Sequence, residues 1–406
     1  MGPIAGCRCC LRGGAMPASN DREHFETYRL QTRVKHQILR AYLPPYFDIL
    51  KTRYRQLGFI DAFAGRGTYD DDTGGKVPGS PVQALEVIAE RERLLDKVRT
   101  AFIEKDDELV VSLAQEVDAF CHDNPQVARP VILHGSFRER VDEALQHVGD
   151  QSPTFAFVDP CGVDGTSFDA IRRIMERPSC EAFVFFNIDG IRRTAGLDET
   201  SGVLEELLGS RDEAERLHLT FKTTVDDPTE REALILKTYQ DRVKSAMEVQ
   251  FFLPFGVESS GRRRTSHYLI HLTKSPLGFR IMKDVMWAHG RTAEGSGMLF
   301  QQASNEPDVN LLFKPQADAI QQTLLDYIGD ATVNVGKTCD GLAERPEDYV
   351  AGKAYKDALK ALETARRIEV VSKGNVVPAA KRPKLKGETT LADHYDVRKR
   401  SPEGGQ

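Results

Sequence analysis

Apolar and polar positions alternate along most of the chain in a way that predicts helices separated by short buried strands. Residues 22–50 carry apolar side chains at helical spacing and predict a leading helix that ends at Pro44-Pro45. Compact apolar runs then recur between helical segments, at residues 57–61, 98–103, 130–133, 154–158 and 182–187. Continuous apolar strands that alternate with helices are typical of a mostly parallel sheet covered on both faces. The pattern therefore predicts an α/β fold of the Rossmann-like kind.

The first predicted strand ends at an acid and leads into a glycine-containing turn. Asp61 closes the apolar run, and Phe63, Gly65 and Gly67 follow it. Glycines at this point let the backbone turn sharply and approach a ligand at the carboxyl end of the strand. We interpret these four residues as candidate cofactor-binding residues.

The next helix begins well beyond the glycines. Ser80 at the N-cap, Pro81 at the first helical position and Gln83 at the third predict a capping box there. A phosphate-binding loop instead places its glycines directly against a helix N-terminus. The spacing is therefore unfavourable for a nucleotide phosphate and compatible with S-adenosylmethionine, whose sulfonium carries no phosphate.

Polar residues also end the second and third predicted strands. Glu104 follows residues 98–103, where an acid can accept both ribose hydroxyls of an adenosyl cofactor. The alternative is that Glu104 only solvates the strand end beside Lys105. Ser136 or Phe137, after the third strand, is a candidate contact to adenine, with a plain turn as the alternative.

The strand at residues 154–158 delivers Asp159 and Pro160 to its end, followed by Cys161 and Gly162. In amino methyltransferases an acid or amide before proline offers a carbonyl oxygen to a planar amine and orients its lone pair toward the methyl group. An aromatic residue usually occupies the position of Gly162. Alternatively, Cys161 adds covalently to a pyrimidine, but no activating base adjoins it, which favours a thiol that only lines the pocket. We predict Asp159, Pro160 and Gly162 as acceptor-side catalytic residues.

A helical insertion over residues 197–247 precedes the last two predicted strands, at residues 249–255 and 268–273. The two strands are predicted to form a hairpin in which residues 268–273 run antiparallel to residues 249–255. Arg262, Arg263 and Arg264 lie between them, at the rim of the predicted active face. Three adjacent guanidinium groups favour a polyanionic substrate, and a solvated hairpin tip is the alternative.

The end of the chain reads as a separate unit. Helices at residues 316–328 and 352–365, followed by a hairpin at 366–377, predict a winged-helix-like domain over residues 310–378. Residues 379–406 are basic and are predicted to be a disordered tail. Winged helices dock on DNA or RNA and also on proteins, so both remain open.

Composition adds limits on compartment and partners. The formal net charge is −6, so nucleic-acid contact requires local basic patches. No apolar run reaches the about 18 residues of a transmembrane helix, and the seven cysteines are odd in number and mostly scattered. We therefore expect a cytoplasmic protein without a membrane span. Cys7, Cys9 and Cys10 lie in a predicted disordered extension, residues 1–21, with a spacing that is poor for zinc, and no metal site is predicted.

Several of these segments together resemble the three-Cys-motif partner protein family. The segments that carry the resemblance are Lys35-His36, residues 58–67, Gly79-Ser80-Pro81, residues 157–162, residues 187–193 and residues 268–287, which include Thr273-Lys274-Ser275-Pro276. The resemblance implies a methyltransferase-like Rossmann core, here residues 22–295, with a C-terminal winged-helix domain. It also implies a partner protein with a three-cysteine, radical-SAM-like motif. In the family a bulky apolar residue commonly stands at the position of Cys161.

Two functions follow as hypotheses. The first is an enzyme that transfers a methyl group from S-adenosylmethionine to a nucleobase or a related amine. The second is an accessory protein that keeps the fold in order to bind the partner or nucleic acid. The candidate cofactor-binding residues are all present, which favours the enzyme. The missing aromatic residue after Pro160 favours the accessory protein.

Overall fold

The computed structural model describes residues 20–70, 75–160, 162–163, 165–197, 202–223, 225–259, 262–289, 317–346, 350–385 and 388–400. The N-terminal extension through residue 19, Cys161 and residues 401–406 lie outside the described residues, and so do the side chains of Arg262, Arg263 and Arg264.

A seven-stranded sheet forms the centre of the larger unit. Its strands are β1 (Leu57–Asp61), β4 (Val98–Glu104), β5 (Val131–His134), β6 (Thr154–Val158), β7 (Glu181–Phe186), β8 (Phe251–Ser259) and β9 (Arg262–Thr273). Their order across the sheet is β5-β4-β1-β6-β7-β9-β8. Strand β9 pairs antiparallel with both β7 and β8, while the other neighbours are parallel. This confirms the predicted Rossmann-like sheet with an antiparallel last strand.

Helices cover both faces of this sheet. One face carries α1 (Asn20–Leu50), α2 (Ser80–Ala89), α3 (Asp107–Asp123) and α10 (Pro276–His289), and the other carries α4 (Phe137–Val148), α5 (Phe168–Met175) and α6 (Ile188–Ala195). The strands β1, β6 and β7 are buried along their whole length. Burial on both faces explains why their sequences read as continuous apolar runs.

The predicted helical insertion is present as three helices, α7 (Gly202–Leu208), α8 (Arg211–Thr223) and α9 (Pro228–Met247). Asp227 caps α9, because its carboxylate accepts hydrogen bonds from the backbone of Thr229 and Glu230. Buried residues such as Phe221 and Tyr239 join the insertion to the core on the α4–α6 face.

The leading helix does not end at its two prolines, as the sequence pattern predicted. Helix α1 continues through Pro44 and Pro45 to Leu50. Proline removes a backbone donor and disfavours a helix interior. On both sides of the pair, however, Leu43, Tyr46 and Phe47 are buried in the core, and this packing holds the last turns in place.

The segment between the glycine turn and α2 is also more ordered than predicted. Strands β2 (Thr68–Asp70) and β3 (Lys76–Pro78) form a small antiparallel hairpin. The amide of Gly79 donates to the carbonyl of Gly67 at 2.8 Å. A Cβ at Gly79 would lie 2.8 Å from that carbonyl oxygen, so only glycine allows this approach.

The C-terminal unit contains the two predicted helices and the predicted hairpin, together with a helix that the pattern did not show. Its elements are α11 (Ala317–Ile328), β10 (Val333–Asn334), α12 (Val335–Ala343), α13 (Gly352–Thr364), β11 (Ile368–Ser372) and β12 (Asn375–Val376). The additional helix is α12. An ion pair of 2.6 Å between Arg280 on α10 and Asp340 on α12 joins this unit to the larger one.

The assignment of residues 379–406 to a disordered tail is wrong for the part that the structure describes. Short strands β13 (Lys384–Leu385) and β14 (Glu388–Thr389) are followed by β15 (Asp396–Lys399), which lies between β10 and β11 in a four-stranded sheet. Val397 is fully buried there, opposite Val370. Basic composition suggested a tail, but two ladders of backbone hydrogen bonds and an apolar contact hold this strand.

Candidate functional site at the carboxyl edge of the sheet

The parallel strands bring the predicted acids to one edge of the sheet. Asp61 ends β1, Glu104 ends β4 and Asp159 follows β6. The register places Asp61 beside Phe102 on one neighbour and Phe157 on the other. Ligands of open α/β sheets bind outside this edge, near the strand where the chain order reverses, and here that strand is β1.

Asp61 is fully buried with one oxygen unused. Its Oδ1 accepts a hydrogen bond from the amide of Phe63 at 3.2 Å, and its Oδ2 has no hydrogen-bond partner among the described residues. Burial raises the pKa of Asp61 to about 7, against the opposing effect of Ser80 and Phe63, and the nearby carboxylates of Asp159 and Glu104 raise it further. A buried acceptor without a donor is costly, so this atom is suited to a donor from a ligand.

Ser80 does not form the predicted capping box. It is the first residue of α2 rather than its N-cap, which is Gly79. Its hydroxyl lies near Asp61 and favours the ionised carboxylate, although no hydrogen bond of normal geometry joins it to Oδ2. Gln83 donates to the carbonyl of Pro78 at 2.7 Å. Of the predicted capping residues, Ser80 therefore lies next to the candidate site residue Asp61.

Glu104 binds the glycine turn. Its Oε2 accepts from the amide of Gly65 at 2.8 Å, and its Oε1 accepts from the amides of Lys105 and Asp106 at 2.8 and 3.0 Å. Gly65 and Gly67 both have positive φ, +62° and +86°, which favours glycine. Each carboxylate oxygen has two lone pairs, so Oε1 is saturated and Oε2 keeps one acceptor position.

Ser136 has a structural role in the described geometry. It is the N-cap of α4, where its hydroxyl donates to Glu139 at 2.7 Å and accepts from the amide of Glu139 at 3.4 Å. Its proton is therefore already used. An adenine contact by Ser136 stays a prediction. The ring of the next residue, Phe137, packs against Phe63, with ring centroids 6.0 Å apart.

Asp159 forms an ion pair with Lys35 of α1, across 124 positions of sequence. The side chains are only 6% and 10% exposed for Lys35 and Asp159, respectively. Pro160 is buried beside the pair. Among the described residues, a Cβ added at Gly162 would meet no atom within 4 Å, so these residues leave space at the position where the sequence pattern lacks an aromatic residue.

An aromatic ring and two histidines lie near Lys35 of this ion pair. The Lys35 ammonium lies 4.8 Å from the centroid of the Phe185 ring, and His267 of β9 stacks on the same ring at 4.4 Å. Burial and the charge of Lys35 lower the pKa of the neighbouring His36 to about 3. The Nε2 of His36 is buried with no partner among the described residues, and its ring lies 5.8 Å from that of Tyr69.

The residues alone did not single out Lys35, His36 or His267 for chemistry. Lys35 and His36 entered only as part of the family resemblance, and His267 precedes an apolar strand. One signal was available: Lys35 lies within the helix stripe of Val34, Ile38 and Leu39, all of which are buried, and a lysine at such a position needs a partner.

The structure places Arg262, Arg263 and Arg264 inside β9, at its start, rather than in a connection between the two strands as the sequence pattern predicted. Phe186 at the end of β7 pairs with Tyr268, so the earlier residues of β9 extend beyond the carboxyl edge. Polyanion binding by these arginines stays a prediction, since their side chains are outside the described part.

A second buried polar cluster lies at the opposite edge of the sheet. Glu181 accepts hydrogen bonds from Tyr42 at 2.5 Å and Thr273 at 2.9 Å, and it contacts His271 at 2.9 Å. A Cβ at Gly278 would lie 2.3 Å from Glu181. The cluster joins α1, β7, β9 and α10, and we assign it a structural role.

Within the described ranges, no group of three or more histidine, cysteine or acidic side chains is placed to hold a metal ion. In the same ranges, no helix has the length and apolar character needed to cross a membrane.

The strand order and the acids at one edge define the class of the larger unit, a Rossmann-like domain of the class I methyltransferase type. No family model and no curated protein matches the sequence. Among solved structures, a Legionella pneumophila protein matching the family model DUF519 is similar with 12% identity and a TM-score of 0.40, over 62% of this chain and 90% of that one. The methyltransferase domain of bacterial CtHen1 is similar with 12% identity and a TM-score of 0.30, over 58% of this chain and 98% of that one. The glycopeptide N-methyltransferase MtfA, complexed with sinefungin, is similar with 7% identity and a TM-score of 0.27, over 57% of this chain and 85% of that one. Because these TM-scores are low, the structural similarity carries no argument, and the class of the domain rests on its strand order.

Proposed function

We propose that the chain is an S-adenosylmethionine-dependent methyltransferase whose acceptor is an amine of a nucleobase or of a related polyanionic substrate. The observation that carries the proposal is Asp61: a fully buried carboxyl, with an unpartnered oxygen, at the end of β1 in a sheet of this order. A positively charged donor at Oδ2 would remove the cost of that burial.

The cofactor side fits the chemical groups of S-adenosylmethionine. Asp61 would take its ammonium group, and the remaining acceptor position on Glu104 would take a ribose hydroxyl. At Gly65, which has positive φ, a Cβ would meet only the Tyr69 hydroxyl, 3.9 Å away, among the described residues, so the backbone there can be approached closely. The cofactor, when bound, supplies an electrophilic methyl group on sulfur.

The acceptor side lies at Asp159 and Pro160. Lys35 occupies Oδ2 of Asp159. Among the described residues no hydrogen bond involves Oδ1, which would accept from an acceptor N–H. The open space beside Gly162 would admit a planar ring. Arg262, Arg263 and Arg264 would contact phosphates at the rim.

A second candidate is an accessory protein that binds a three-Cys-motif partner or nucleic acid without catalysing a reaction. The Lys35–Asp159 pair favours this alternative, because a carboxylate already paired with lysine needs no acceptor to be satisfied. The partner itself follows only from the sequence resemblance.

Calorimetry with S-adenosylmethionine, S-adenosylhomocysteine and sinefungin tests the proposal. We expect binding of all three, weakened by about 1.5–3 kcal/mol in Glu104→Ala, the scale of hydrogen bonds to a charged group. Glu108→Ala, an exposed acid on α3, is the matched control and should bind as the wild type does. Absence of binding would refute the proposal that S-adenosylmethionine is the cofactor. Binding without transfer of labelled methyl groups to DNA or RNA oligonucleotides would favour the accessory function.

A further inference from the structure

Basic side chains collect at one end of the four-stranded sheet in the C-terminal unit. Strands β11 and β15 pair antiparallel, with Glu369 opposite Arg398, so the start of β11 lies beside the end of β15. The amide of Arg400 also donates to the carbonyl of Arg367 at 3.0 Å. This pairing brings together five residues that we call the basic cluster: Arg366, Arg367, Arg398, Lys399 and Arg400.

The basic cluster carries an excess of positive charge. The carboxylate of Glu369 lies 3.1 Å from Arg398 and 3.9 Å from Arg400. The other three members of the cluster are exposed, and within the described part of the chain no ion pair involves any of them. On a chain whose formal net charge is −6, the cluster is therefore a local surface at which a polyanion is attracted rather than repelled.

The backbone at Arg366 suits glycine better than arginine. Helix α13 ends in a Schellman motif, in which the amide of Arg367 donates to the carbonyl of Leu362 at 2.9 Å. The amide of Arg366 donates to the carbonyl of Glu363 at 2.9 Å. Arg366 thus occupies the left-handed position of the motif, with a φ of +57°, where glycine is usual. An arginine there costs stability, which points to a use for its side chain outside the fold.

We infer that the basic cluster is a surface that binds the phosphate backbone of a nucleic acid. Guanidinium groups bind phosphate oxygens bidentately, and four of the five members are arginines. Such contacts hold a duplex in place without reading its bases. The inference rests on the proposed function for the use of this surface, which is to hold the nucleic acid whose amine accepts the methyl group.

An anionic membrane fits the basic cluster less well. Peripheral membrane binding combines electrostatic attraction with the burial of apolar side chains in the lipid. Among the exposed large apolar residues that the structure describes, Val376 alone belongs to this sheet. It pairs with Val371, toward the opposite end of β11. The described residues therefore place no apolar anchor beside the cluster.

Fluorescence anisotropy with duplex DNA and duplex RNA at several salt concentrations tests the surface in the full-length protein. Two variants each remove three exposed cations. The test variant combines Arg366→Gly, Arg367→Gln and Lys399→Gln, and the control, which changes residues that precede β1 and β4, combines Arg53→Gln, Arg55→Gln and Arg93→Gln. We expect the test variant to flatten the log–log salt dependence by up to about three units, while the control keeps the wild-type slope.

The single variant Arg366→Gly separates binding from folding. Because glycine suits the left-handed position, this variant should unfold at a urea concentration no lower than the wild type does. It should still flatten the salt dependence by about one unit, the effect of one lost phosphate contact. A wild-type slope in Arg366→Gly would remove Arg366 from the surface and overturn the argument from its backbone.

Equal slopes for the test variant and the control would overturn the inference. An unchanged slope with both duplexes, together with weaker binding of the test variant to phosphatidylserine vesicles, would overturn it in favour of a membrane surface. Flattening with one duplex alone would support it and identify DNA or RNA as the ligand. The titrations need no S-adenosylmethionine, so a protein that binds duplexes through the cluster but binds no S-adenosylmethionine would refute the proposed function and leave the surface in place.

Discussion

Replacing Asp61 with asparagine should change how the stability of the protein depends on pH. Asp61 is fully buried, and its pKa is about 7 in the folded protein against an ordinary value of 3.8. Between these values the folded state holds a proton that the unfolded state has lost. The free energy of unfolding therefore falls as the pH rises through this window, because the unfolded state binds fewer protons.

The magnitude follows from the size of the pKa difference. Three units at about 1.4 kcal/mol each amount to about 4 kcal/mol over the whole window, of which about 2.5 kcal/mol falls between pH 5 and pH 8. The asparagine side chain would keep an acceptor for the Phe63 amide and would carry no charge at any of these pH values. Asp61→Asn should therefore gain about 2.5 kcal/mol over the wild type when the pH is raised from 5 to 8.

Urea denaturation of both proteins at pH 5 and pH 8 measures this difference directly. Other titrating groups are common to both proteins and cancel in the comparison. Asp96→Asn, the same chemical change at an exposed carboxyl, should follow the wild type. If the wild type and Asp61→Asn lost stability in parallel between the two pH values, the argument from the buried, unpartnered carboxyl would be wrong.

Three other predictions concern the Lys35–Asp159 pair, β15 and the arginine cluster. Lys35→Met should lower the free energy of unfolding by roughly 3–5 kcal/mol, because it leaves the Asp159 carboxylate buried and unpaired. Adding Asp159→Asn should restore most of the lost stability. A loss that persists in the double variant would show that the unpaired carboxylate is not its cause. Deleting residues 388–406 should remove hydrogen-exchange protection from the whole C-terminal unit, since Val397 lies in its core, whereas protection retained in α13 would indicate a peripheral strand. Changing Arg262, Arg263 and Arg264 together to alanine should flatten the log–log salt dependence of nucleic-acid binding by up to about three units, measured by fluorescence anisotropy. Equal slopes for the wild type and the triple variant would show that the phosphate contacts are made by other residues.

The sequence by itself determined the features that depend on local pattern. Continuous apolar runs predicted the buried strands, and residues such as Asp61 and Gly65 were found because they directly follow one of them. The parallel arrangement that the alternation of helices and strands requires then places Asp61, Glu104 and Asp159 at one edge. The positions of these acids could therefore be predicted, while their hydrogen-bond partners could not.

Only the tertiary structure decided the contacts between distant segments. Lys35 reaches Asp159 from another element of the chain, and His267 reaches Phe185 from the last strand of the sheet. Strand β15 enters its sheet because backbone ladders on both sides and the buried Val397 outweigh its basic composition. Helix α1 likewise passes through Pro44 and Pro45 because its flanks are buried. In each case the deciding energy comes from burial and pairing between residues far apart in sequence, which local propensity does not contain.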